Sequence, residues 1–110
     1  MSDFPSPTCM PGSSAARLEP EALRARLAHL AGWQLVAEGT AIERSFRFDN
    51  YWQTMAFVNS VAWVAHAEDH HPDMSVHWGR CVVRFGTHDA GGVTENDFIC
   101  AEKVSRIVSG

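Results

Sequence analysis

Four short runs with strand-like content fall in two pairs, and inside each pair the connection leaves room only for a hairpin. Trp33 to Ala37 and Ala41 to Phe48 are separated by Glu38, Gly39 and Thr40, while Met74 to Gly79 runs directly into Arg80 to Thr87. A parallel pair needs a crossover of about a dozen residues or more, so both pairs are expected to be antiparallel. Segments of helical period surround them. Pro20 suits a first helical position, and Leu23, Leu27, Leu30 and Ala31 recur at helical spacing until Gly32 can cap the end. From about Asn50 to Ala67, Tyr51, Met55, Val58, Ala62 and Ala65 share one helical face that Phe57, Val61 and Val64 widen, which predicts the main core helix. Pro72 pushes His71 out of the α region, so this helix ends close to His70 and His71 and leaves them on the turn leading out. After the last strand, Asp89, Ala90, Gly91 and Gly92 predict a turn. Thr94 then reads as an N-cap with Asp97 three residues on, and Val104, Ile107 and Val108 continue a helical stripe. The order α-β-β-α-β-β-α predicts one α+β domain, a four-stranded antiparallel sheet with three helices packed on one face.

The 110 residues suit a single domain, and an apolar share of 45% can build one core. Residues 1–16, with Pro5, Pro7, Pro11, Gly12 and several serines, are expected to be a flexible tail, and 17–110 the folded domain. Cys9 in that tail reads as an incidental thiol, since nothing near it in sequence would lower its pKa. With Cys81 and Cys100 it makes three cysteines without metal-ligand spacing, the pattern of free thiols in a reducing compartment. A net charge of −4 with scattered basic residues disfavours direct nucleic-acid binding. No apolar run approaches the roughly 18 residues that span a bilayer, and the first residues lack a secretory pattern, so the expectation is a cytoplasmic protein without membrane contact.

Five of the six histidines, His66, His70, His71, His77 and His88, fall within 23 positions. In the last strand Cys81, Val83, Phe85 and Thr87 alternate with Val82, Arg84, Gly86 and His88, and the first set reads as the core face. His88 then leaves the sheet on the other side. A histidine pair at a helix exit and another histidine at a strand exit, each beside a turn, could converge on one cleft.

The stretch Glu68-Asp69-His70-His71-Pro72-Asp73, then Trp78, then Thr87-His88-Asp89-Ala90-Gly91-Gly92, then Asp97, closely resembles the signature of the pterin-4a-carbinolamine dehydratases. The spacing needs no gap, and the resemblance in element order extends from about Leu18 to Val108. Two positions depart from the commonest family pattern: His66 stands where an acidic residue is frequent, and Trp78 where tyrosine is usual. The resemblance implies dehydration of a 4a-hydroxytetrahydropterin to the quinonoid dihydropterin, in support of an aromatic amino acid hydroxylase. It also implies no metal or other cofactor, and a homodimer or homotetramer.

That reaction needs a base and an acid, and histidine, with an ordinary pKa of about 6.5, supplies both near neutral pH. Carried over from the motif, His71 is the expected principal base, with His70 and His88 protonating or hydrogen-bonding the leaving hydroxyl. Asp69 could orient an imidazole. Gly86, Thr87, His88 and Asp89, with Asp69, His70 and His71, are the expected pterin contacts, and Asp97 and Trp78 supporting residues. For Asp97 a purely structural role at the helix start is equally open. His66 and His77 read as structural, and Trp52 and Trp63 as core in preference to ligand-binding, with a subunit contact as the other option. Two rival readings remain. His70, His71 and His88 could offer three imidazoles to zinc, although no fourth ligand completes the set. Relatives of the fold also serve as non-catalytic dimerisation partners of a transcription factor or as carbon-fixation assembly factors.

Overall fold

The computed structural model describes residues 8–10 and 15–109. Helix α1 is Pro20–Ala28, β1 Gln34–Val36, β2 Ala41–Arg47, α2 Tyr51–Glu68, β3 Asp73–His77, β4 Arg80–Phe85 and α3 Glu95–Ser109. Single 3₁₀ turns at Ala37–Gly39 and His88–Ala90 follow β1 and β4. The expected order of helices and strands is therefore observed. All strand pairs are antiparallel, in the spatial order β1-β2-β4-β3, so the two hairpins join through β2 and β4.

Register decides which face is core. Ile42 pairs with Phe85 and Phe46 with Cys81, all buried, and with Val83 they form the face that the helices cover. The opposite face carries Glu43, Asp73 and Arg84 side by side on three strands, with Arg84 donating to Glu43 at 2.9 and 3.1 Å. Above the covered face, Phe57 of α2 lies 4.6 Å from Phe46 and 5.1 Å from Phe48 between ring centroids. Trp33 approaches Phe46 edge-on at 6.1 Å, and its indole N–H donates to Ser105 Oγ at 2.8 Å, so the ring is buried without stranding its polar atom.

Both ends of α2 are built by local chemistry. The Asn50 side chain accepts from Gln53 N–H at 2.8 Å, an N-cap worth about 1 kcal/mol. At the other end Asp69 adopts the left-handed conformation (φ 51°, ψ 42°), with its N–H on His66 O and the His70 N–H reaching Ala65 O at 3.0 Å. The chain thus turns at Asp69, immediately ahead of the histidine pair and Pro72.

Two expectations are corrected, and a third is described only in part. Helix α1 ends at Ala28, short of Ala31, because His29 and Leu30 already bond to the carbonyls three residues back and tighten the last turn; Gly32 (φ 89°) lies beyond it. Trp52 and Trp63 are not core: they are 78% and 70% exposed on the outer side of α2. Of the expected tail, residues 1–7 and 11–14 lie outside the described residues, while Ala15 is buried and Cys9 and Met10 are bonded to the helices.

Candidate functional site

The turn at Asp69 sends the two histidines in different directions. His71 is exposed, whereas the His70 side chain is only 10% exposed and lies parallel to Phe85 at 5.9 Å between centroids. His70 Nε2 is 2.6 Å from Oδ1 of Asp97, whose side chain is fully buried in the first turn of α3. The other carboxylate oxygen, Oδ2, accepts from Thr94 N–H and from Thr87 Oγ1, each at 2.8 Å, and the two threonine hydroxyls lie 2.7 Å apart. Of the expected capping box the Asp97 half is present, its carboxylate accepting from Thr94 N–H, while the Thr94 hydroxyl turns to Thr87; Asp97 both secures the start of α3 and holds an imidazole. Against an ionised carboxylate Nε2 must carry the hydrogen, which leaves Nδ1 to exchange a proton. Asp69, the residue expected to orient an imidazole, is exposed, and the partner of His70 is Asp97.

On the outer face the row Arg84, Gly86 and His88 borders a cavity of about 430 Å³, with Asp73, Thr87, Gly91 and Gly92 completing much of its wall. That volume is within the range of small-molecule sites. Gly86 is required by packing alone: a Cβ there would sit 2.7 Å from Thr40 O. Gly91, in the left-handed region at φ 70°, closes the His88–Ala90 turn, and Thr87 and Gly92 exchange backbone hydrogen bonds at 3.0 and 3.3 Å across its base. His88 and Asp89 are exposed on this turn.

The candidate residues are therefore brought together in part. Thr87 belongs both to the cavity wall and to the buried network around Asp97, linking His70 to the side on which His88 stands. Trp78 is not brought there. It sits 66% exposed in the β3–β4 turn, beside Tyr51, Met55, Val76 and His77, at the far end of β3 from Asp73. His77 is exposed and within 2.9 Å of Ser75 Oγ, and His66 is exposed with its ring 6.2 Å from that of Trp63. Among the described residues, no three His, Cys, Asp or Glu side chains converge so as to hold a metal ion. Sequence reasoning missed Phe85 as the platform for His70, and Arg84 as a wall of the cavity. The strand alternation that sets Arg84, Gly86 and His88 in one row carried the signal for Arg84.

Comparison with known proteins places this geometry in a family. The family model described as pterin 4 alpha carbinolamine dehydratase matches residues 16–107. A Xylella fastidiosa protein provisionally named a pterin-4-alpha-carbinolamine dehydratase is 60% identical over 88 residues, 76% of each chain. A Stenotrophomonas maltophilia protein with the same provisional name is 61% identical over 87 residues, 76% of this chain and 75% of the relative. Among solved structures, one from Brucella melitensis described as a transcriptional coactivator/pterin dehydratase superposes with a TM-score of 0.79 at 36% identity, covering 83% of this chain and 97% of that one. A pterin dehydratase-like protein described as a RuBisCO assembly factor in the alpha-carboxysome shares the fold, with a TM-score of 0.63 at 19% identity over 74% of this chain and 95% of that one. The chain belongs to the pterin-4-alpha-carbinolamine dehydratase family.

Proposed function

We propose that the protein is a hydro-lyase that converts a 4a-hydroxytetrahydropterin to the quinonoid dihydropterin by histidine acid–base catalysis. The observation that carries this reading is the buried His70–Asp97 pair at 2.6 Å, linked through Thr87 to the cavity that His88 borders, in a chain of this family. A base removes the N5 proton, the N5–C4a double bond forms, and the C4a–O bond breaks as an acid protonates the departing hydroxyl, which leaves as water. His71 is assigned as principal base, and His70 and His88 as the groups that protonate or hydrogen-bond the hydroxyl. Asp97 positions His70 by fixing its Nε2. Asp69, Gly86, Thr87 and Asp89 are assigned to the pterin, with the main chain at Gly91, after His88, where an added side chain would meet nothing within 4 Å, open to a flat ligand. No cofactor is required by this chemistry. No helix among the described residues is long and apolar enough to cross a membrane. On this reading the enzyme works in the cytoplasm alongside an aromatic amino acid hydroxylase.

Exposed Trp52, Trp63 and Trp78 favour a homodimer or homotetramer. The same aromatic surface, with the Brucella relative's description as a coactivator, supports a second reading as a non-catalytic partner protein. Stopped-flow measurement of 4a-hydroxytetrahydropterin loss separates the two. Catalytic amounts of the protein should raise the rate well above the spontaneous one, and no acceleration around neutral pH would leave the partner reading.

A further inference from the structure

Away from the candidate site, two thiols distant in sequence meet. Cys9 and Cys100, 91 residues apart, have their sulfurs 3.6 Å from one another. The short segment bearing Cys9 is fixed from both sides. Cys9 N–H donates to Glu68 Oε1 at 2.7 Å, and Glu68 is held in turn by Lys103 Nζ at 2.6 Å. Met10 and Asn96 exchange a reciprocal pair, Met10 N–H to Asn96 Oδ1 at 3.0 Å and Asn96 Nδ2 to Met10 O at 2.7 Å. The thiols are thus presented to each other by helix side chains. A disulfide needs about 2.05 Å between sulfurs, so they must close by roughly 1.5 Å, a movement open to a segment outside any helix or strand.

We propose that Cys9 and Cys100 form a site of reversible thiol–disulfide exchange with low-molecular-weight disulfides such as oxidised glutathione, which fastens the 8–10 segment covalently to α3. Cys9, half-buried where Cys100 is fully buried, reacts first. Its thiolate attacks one sulfur of the small disulfide, the S–S bond breaks, and one small thiol leaves carrying the bonding pair. The Cys100 thiolate then attacks the Cys9 sulfur of the mixed disulfide and expels the second small thiol. Two protein thiols are oxidised, one small disulfide is reduced, and the two thiol protons end on the released thiols. The closed form would pin the end of α2, through Glu68, to the start of α3, through Asn96.

Burial pushes the Cys9 thiol up to about 11 and the Cys100 thiol higher still. For Cys9 the Cys100 hydrogen bond and Lys103 oppose that rise, while Glu68 adds to it; for Cys100 the neighbouring Cys9, Glu68 and Asp97 all add to it. Both thiols are therefore protonated near neutral pH, and the rate of exchange should rise about tenfold per pH unit toward the alkaline range.

The test uses the full chain in oxidised glutathione, followed by alkylation and peptide mapping. The expected result is a Cys9–Cys100 cross-linked peptide with Cys81 free, and a rise in Tm on the order of 10 °C that dithiothreitol reverses. Cys100→Ala should stop at a mixed disulfide on Cys9. Because Cys100 is a core position, Cys9→Ser, outside any regular element, serves as the second variant and should give no cross-link. A wild-type protein that retains glutathione on Cys9, links Cys9 between two copies, or reacts only when unfolded would overturn the proposal. None of these readouts depends on dehydratase activity.

Discussion

Replacing Asp97 tests whether one carboxylate organises both the start of α3 and the imidazole beside it. In Asp97→Ala, the Thr94 N–H, fully buried, loses its acceptor, and an orphaned buried donor costs about 1–3 kcal/mol. Thr87 and Thr94 keep one hydroxyl bond between them at 2.7 Å, which uses only one of their two hydrogens, so one buried O–H also loses its acceptor at about 1–3 kcal/mol. His70 loses its charge-assisted bond, worth about 1.5–3 kcal/mol. Loss of a negative charge from the first helical turn adds about 0.3–1 kcal/mol. The sum is about 4–10 kcal/mol, and the commoner cost of breaking a buried pair, about 3–5 kcal/mol, narrows the expectation to the lower part of that range. Asp97→Asn keeps the shape and one acceptor, and should cost about 1–2 kcal/mol. Glu95→Ala is the control at the same helix start: its partner Arg26 is 42% and Glu95 itself 45% exposed, so about 0–1 kcal/mol is expected. Urea midpoints at a common slope read all three. A cost below about 1 kcal/mol for Asp97→Ala would mean that the network contributes no buried bonds, and the reasoning would fail.

His71→Ala and His88→Ala should each lower kcat by roughly 10²-fold with Tm unchanged, since both side chains are exposed; the double variant should lose less than the product, and His29→Ala should be silent. Full activity in either single variant would reject the assignment. For Glu68, burial raises the pKa but the hydrogen bonds from Lys103 and Cys9 N–H outweigh it, so the folded value lies below the unfolded one. Its contribution to stability is then complete above the ordinary carboxylate range and is lost as pH falls through the folded value, so Glu68→Gln should flatten the acid limb of the urea midpoint against pH. An identical acid limb in both proteins would refute the sign. Sedimentation at micromolar concentration should give a dimer or tetramer that Trp52→Glu weakens, and a monomeric wild type would contradict it.

Much of the fold was legible because its punctuation is local. Gly39, Pro72 and the Thr94–Asp97 spacing each act within a few residues, and each marks the boundary it was expected to mark. Exposure around α2 was less legible: with apolar residues on most of its circumference, periodicity gives no reason to turn Trp52 and Trp63 outward in place of Phe57 and Val61. The candidate site divides in the same way. His70 and Asp97 share a motif, but the motif does not say that a left-handed residue turns one histidine inward and its neighbour outward. Trp78 keeps the motif spacing and yet lies about five extended residues, on the order of 16 Å, along β3 from Asp73. The meeting of Cys9 with Cys100 spans nearly the whole chain, where no local rule applies.

The central pairing of β2 with β4 governs the order in which this molecule comes into being. Each hairpin closes a short loop, whereas Ile42 and Phe85 must meet across 43 positions. Closing that distance instead of a hairpin loop costs about 2 kcal/mol more in chain entropy, so the seam between the hairpins is the natural bottleneck of folding. Phe85 is also the surface on which His70 rests, and Asp97 follows it in the chain. A nascent chain that has emerged only as far as α2 carries a hairpin and a helix but no paired imidazole. The site arises together with the cooperative fold, and any partly folded form in which the seam is open lacks it.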